Sequence, residues 1–144
     1  MVLIREVLPS DWETWSGLRR ALWPDCADVH SSEMAAHFGA TGPDPTCVLL
    51  AFDRDGEAAG MIELALRPYA EGCAPGRVGY VEGWYVVPHA RGRGIGRSLM
   101  QMGEDWVRRQ GALEMASDAD ITNSDSHAAR GAVGFCEVAM TSGP

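Results

Sequence analysis

"YVVPHARGRGIGRSLM" (residues 85–100) carries an apolar, β-type stretch into Pro88, sets Arg91, Arg93 and Arg97 among Gly92, Gly94 and Gly96, and ends on residues with helical spacing. A strand therefore feeds a helix through a glycine-rich turn. At a helix start the first amides have no intrahelical acceptor, the helix dipole adds positive potential, and glycine lets a ligand approach the backbone closely. The R-x-x-G-x-G spacing from Arg91 to Gly96, with Ile95 opening the helix, reads as a cradle for a diphosphate; the plainer reading is a glycine turn with solvated arginines. Two familiar phosphate loops do not fit. A Walker A loop needs a Gly-Lys pair followed by Ser or Thr, which is absent, and a dinucleotide fold places its glycine loop after the first strand, whereas this one follows the fourth.

Upstream of the turn, "VGYVEGWYVV" (78–87) reads as that fourth strand. Gly83 inside it predicts a bulge or a close backbone approach, and Glu82 interrupts an apolar run where a buried charge would need a partner. "CVLLAFD" (47–53) and "AAGMIELALR" (58–67) read as two strands joined by a hairpin turn at Asp55-Gly56. "VLIREV" (2–7) alternates like a half-buried strand, and "PSD" (9–11) offers a turn and an N-cap for a helix with Trp12, Trp15, Leu18 and Leu22 on one face, ended by Pro24. A shorter helix over 25–38 precedes the breaker cluster "GATGPDPT". Downstream, Ile95, Leu99, Met102 and Trp106 share a helix face that Gly111 stops. "LEMASDA" (113–119) is a short strand, "NSDSHAARGAV" (123–133) a helix and "GFCEVAM" (134–140) a last strand. The order β, α, α, β, β, β, α, β, α, β describes one mixed α/β domain over 1–144.

Composition agrees with that size. The chain has 144 residues, 46% hydrophobic, with five tryptophans, enough for a core in a domain range of about 100 to 200 residues. Its net charge of -8 disfavours nucleic acid and anionic membranes and favours small cationic partners. No apolar run approaches the roughly 20 residues a membrane span needs, and the start lacks a signal pattern, so the expected location is cytoplasmic. Cys26, Cys47, Cys73 and Cys136 form no CxxC pair, and His30, His37, His89 and His127 show no HExxH spacing, so no metal site is expected.

"VVPHARGRGIGRSLM" resembles the acyl-CoA-binding motif of the GNAT N-acyltransferase superfamily. More narrowly, "GLRRALWP", "VEGWYVVP", "MASD" with Asn123 five residues on, and "GF" at 134–135 are similar to the aminoglycoside 6′-N-acetyltransferases, in order over nearly the whole chain. The resemblance implies a single α/β GNAT domain: a mixed, mostly antiparallel sheet whose central parallel strands splay, flanked by helices. It implies acetyl-CoA as co-substrate in the splay between the fourth and fifth strands, with the backbone of Trp84, Tyr85 and Val86 pairing with pantetheine. Arg91, Gly92, Arg93, Gly94, Ile95 and Gly96 would hold the diphosphate, assisted by Arg97. Asn123 would touch the cofactor, although as a residue it reads equally as a helix cap.

For the acceptor, the resemblance maps onto Trp23, Tyr69, Glu82 and Asp118, with Glu137 the acid nearest position 139, where relatives can carry one. An aminoglycoside presents several ammonium groups, which carboxylates and an aromatic face suit. Expected chemistry is direct attack in a ternary complex. Glu82 takes the ammonium proton directly or through water, Asp118 orients the amine, and backbone N–H groups near Val86 meet the oxyanion. No cysteine sits beside a credible base for a covalent relay. The chain departs from the family pattern late: tyrosines occur only at 69, 80 and 85, position 139 is Ala139, and the end "VAMTSGP" lacks an aromatic, basic strand. Water is then the expected proton donor to the thiolate. A homodimer is expected, and the C-terminal strand is either divergent or shortened, or a partner subunit supplies what is missing. Competing readings are a GNAT enzyme acting on a polyamine or protein amine, and a non-catalytic acyl-CoA-binding module.

Overall fold

Short apolar segments separated by turn residues build a single sheet with helices on both faces. The computed structural model describes residues 2–39, 46–67, 78–112, 114–117 and 135–137. In chain order these are β1 (Leu3–Glu6), α1 (Trp12–Leu22), α2 (Ala27–Gly39), β2 (Thr46–Phe52), β3 (Ala58–Arg67), β4 (Val78–Val86), α3 (Ile95–Arg109), β5 (Glu114–Ser117) and β6 (Phe135–Glu137). The strands lie in sequence order, antiparallel from β1 to β4 and parallel for β4 with β5 and β5 with β6. The helix expected over 123–133 lies outside the described residues. The β2–β3 hairpin turns where Asp55-Gly56 marks it: Gly56 has φ +82°, and the Asp53 amide donates to the Glu57 carbonyl at 2.9 Å.

Both faces of the central strands are covered, which explains why β2 and β3 read as continuous apolar runs. On one face Cys47, Leu49, Ile62, Leu64, Val81, Trp84 and Val86 pack with Ile95, Leu99, Met100 and Val107 of α3. On the other Val48, Leu50 and Met61 pack with Trp15, Leu18 and Met34 of α1 and α2.

Two local readings shift. The buried stripe of α3 runs through Ile95, Leu99, Gly103 and Val107, whereas Met102 is 39% exposed and Trp106 only partly buried. Glycine adds nothing to an apolar periodicity, yet it lets the helix sit down on the sheet: a Cβ at Gly103 would lie 2.8 Å from Leu64 Cδ1, and one at Gly79 would lie 2.4 Å from Val107 Cγ2. Asp11 does stand at the N-cap of α1, but its carboxylate makes no capping bond there. It accepts from the Leu8 amide at 2.7 Å and from both terminal nitrogens of Arg5 at 2.7 and 3.0 Å.

Candidate active site

The β3–β4 ladder slips at one point: Glu63 pairs with Gly83 and Leu64 with Val81, leaving Glu82 as the extra residue of a bulge. Gly83 shows the close approach as well, because a Cβ there would lie 2.5 Å from Trp23 Cη2. Trp23 closes α1 through its amide, which donates to the Arg19 carbonyl at 2.7 Å. The bulge thus sets Trp23 against Gly83, the residue next to Glu82, so two of the acceptor candidates belong to the same point of β4. Glu82 is half-buried and accepts from Arg67 Nη2 at 2.6 Å, while the Arg67 guanidinium lies 3.8 Å from the centroid of the Tyr80 ring. Tyr69, Asp118 and Asn123 lie outside the described residues. Glu137 pairs with Ser117 through the β6 backbone; its side chain is outside the description.

Beyond the bulge the sheet opens. β5 pairs only with Val78–Val81, so among the described residues Gly83–Val86 are paired with β3 alone. This is the splay, and Trp84, Tyr85 and Val86 lie along it. The Trp84 side chain is buried on the α3 face, where its Nε1–H donates to the Gly96 carbonyl at 3.0 Å and ties the open strand to the first turn of α3. Arg91 reaches back to the same place: its Nε–H donates to the Val86 carbonyl at 2.8 Å, with the guanidinium 5.6 Å from the Tyr85 ring centroid.

The glycine turn adopts the form its sequence demands. Gly92 and Gly94 have φ of +82° and +81°, and a Cβ at either would meet nothing within 4 Å, so the backbone angle and not the space calls for glycine. Among the described residues no backbone carbonyl accepts from the amides of residues 92–97, and Gly94 supplies no side-chain cap to the 15-residue α3. Arg93 and Arg97 are exposed beside them. Orphan amides, a helix dipole and adjacent guanidinium groups fit a diphosphate. Among the described residues no His/Cys/Asp/Glu group could hold a metal ion.

Behind Trp23 lies a polar cluster that the sequence reading missed. Arg19, buried, donates from Nε and Nη2 to the Glu63 carboxylate at 2.8 and 2.9 Å, and Trp15 Nε1 donates to Glu63 at 2.8 Å. Arg19 Nη1 also reaches Glu33 at 2.9 Å and His30 Nδ1 at 3.3 Å, and His30 Nε2 reaches the Trp23 carbonyl at 3.2 Å. Arg19 donates to His30 Nδ1, so the ring carries its proton on Nε2 and donates to Trp23. Burial opposes the Arg19 charge, but Glu63 and then Glu33 outweigh it and hold the guanidinium above its ordinary pKa. Glu63 could have been found by the argument applied to Glu82: each is an acid interrupting an apolar strand.

Residues 10–135 match the model of the acetyltransferase (GNAT) family. The chain belongs to this family. It is an acetyl-CoA-dependent N-acetyltransferase, and within GNAT it is similar to one group in particular. The aminoglycoside N(6′)-acetyltransferase type 1 of Klebsiella aerogenes is 47% identical over 139 residues, 96% of this chain and 91% of the relative. That of Stenotrophomonas maltophilia is 39% identical over 93% of this chain and 86% of its own. Among solved structures, AAC(6′)-Iy in complex with the bisubstrate analogue CoA-S-monomethyl-acetylneamine superposes with TM-score 0.80 and 31% identity, over 94% of this chain and 90% of that one. The GNAT fold accounts for the mixed sheet and the open β4 edge, and the uncapped loop before α3 suits the acetyl-CoA diphosphate.

Proposed function

We propose that this protein is an aminoglycoside 6′-N-acetyltransferase, moving acetyl from acetyl-CoA to a primary amine of the antibiotic and conferring resistance on a bacterium that carries it. The observation that carries the reading is the bulge at Glu82. It sets a carboxylate in mid-β4, next to the Gly83 backbone that the Trp23 ring covers and just before Trp84 to Val86, whose open edge suits pantetheine. Donor and acceptor then meet on one strand. The likeness to relatives named as aminoglycoside N(6′)-acetyltransferases supports the acceptor class, and the similar structure that binds one molecule spanning donor and acceptor supports a ternary complex.

In this mechanism the acceptor ammonium gives a proton to Glu82, directly or through water, and the freed nitrogen attacks the thioester carbon. The C–N bond forms, backbone N–H groups near Val86 meet the oxyanion, and the C–S bond breaks to a thiolate that takes a proton from water as the acylated nitrogen releases its second proton to water. Trp23, Tyr69, Asp118 and Glu137 complete the acceptor wall. Residues 91–97 hold the diphosphate, and Asn123 adds a cofactor contact. Among the described residues the free cysteine Cys47 is no nucleophile, since burial above all, and then the Glu6 charge, push its thiol pKa up to about 12. We also propose that residues 1–144 act as one catalytic unit, in the cytoplasm where acetyl-CoA is available, as a homodimer that completes the C-terminal region.

Glu82→Gln tests this assignment. It removes the base and keeps the shape, so kcat should fall by about 10²–10⁴-fold while the KM for acetyl-CoA stays put. Unchanged turnover with kanamycin would remove Glu82 from the mechanism.

A further inference from the structure

Arg67 ends β3 opposite Val78, three residues beyond the slip between Glu63 and Leu64. To reach Glu82 its side chain runs along the sheet, lies over the Tyr80 ring at 3.8 Å, and ends with Nη2 2.6 Å from Glu82 Oε2. Both partners are a little more than one-third exposed, at 38% and 35% of their side chains. Contrast the other Arg–Glu pair facing this region. Arg19 and Glu63 are each 7% exposed and joined by two hydrogen bonds, with Trp15 on the same carboxylate. That pair is built to stay. The Arg67–Glu82 contact, part-exposed and screened by water, is built to be exchanged.

Resting on the reading of Glu82 as the acceptor carboxylate, we propose that Arg67 is a specificity-determining residue: its guanidinium holds the place of the acceptor ammonium on Glu82 and yields it only to a polycationic acceptor. The exchange swaps one cation for another at Glu82, so a monoamine gains little from it. An acceptor with several ammonium groups gains further attraction from a chain of net charge -8, which tips the exchange. The Tyr80 face gives the guanidinium a seat when Glu82 changes partner.

The test compares Arg67→Gln with the parent enzyme on kanamycin and on methyl 6-amino-6-deoxyglucoside, a sugar with a single ammonium. The KM for kanamycin should fall about twofold to fivefold, the effect of losing one part-exposed ion pair. The KM for the monoamine should fall by more, narrowing the preference between them, and the KM for acetyl-CoA should not move. Arg67→Lys, which keeps the charge and loses the planar stack, should lie between the two. A KM for kanamycin that rises or stays constant in both folded variants overturns the proposal. Glu82→Gln separates the two readings. If it leaves kanamycin kinetics unchanged, the acceptor site itself is misassigned; if it cripples turnover while Arg67→Gln weakens kanamycin binding, only the place-holding role of Arg67 fails.

Discussion

Glu104 stands on α3 with 4% of its surface exposed, and its Oε2 meets no hydrogen-bond partner among the described residues. Burial raises its carboxyl pKa above the ordinary value; Arg108 opposes that shift and Asp105 adds to it. A carboxyl whose folded pKa is raised favours the fold while it is protonated, below its unfolded pKa of about 4.3, and that contribution is lost as pH rises through the folded value. Glu104→Gln should therefore raise Tm at pH 7 to 8, and the gain should vanish near pH 4 and below. Thermal scans across pH check this, and a variant that melts lower at pH 7 would contradict it. Asp11 carries the opposite sign: the Arg5 hydrogen bonds hold its carboxyl low, so its contribution is lost only as pH falls through that lowered value. At this scale the sequence was legible where a residue type broke a pattern. Glu82 and Gly83 stood out in an apolar strand, whereas Arg67 did not, because its role depends on a side chain lying across two neighbouring strands, which no local pattern records.

The elements were legible because apolar runs, turn residues and breakers agreed along β2, β3 and β4, and helical spacing marked α1. The face of α3 was misjudged because Gly103, which packs without a side chain, is silent in an apolar count. What joins elements was harder to see. Arg19 of α1 and Glu63 of β3 are 44 residues apart and form a buried pair that holds the end of α1, and with it Trp23, over the bulge. Buried pairs are costly to break and cheap to replace whole. Arg19→Met alone, leaving Glu63 buried without its cation, should cost about 3–5 kcal/mol. Adding Glu63→Leu should recover a large part of that loss in urea denaturation. A single variant within about 1 kcal/mol of the parent would show that water already solvates Glu63.

For the whole molecule, charge is divided by place. A net -8 chain gathers arginines at 91, 93 and 97 around the turn before α3. The local field suits an anionic donor, and the surrounding one suits a cationic acceptor. The donor half was legible because glycine and arginine spacing encodes a backbone shape directly. Apart from Glu82, the proposed acceptor residues were legible only by resemblance, since they come from the end of α1 and from segments far apart in sequence. Whether the acceptor is an aminoglycoside is read by free-thiol release from acetyl-CoA on purified protein, with kanamycin, spermidine or a lysine peptide as acceptor. Turnover with kanamycin should stand well above both others, with acetylation at its 6′ amine. Turnover with spermidine or the peptide and none with kanamycin would contradict the proposed function.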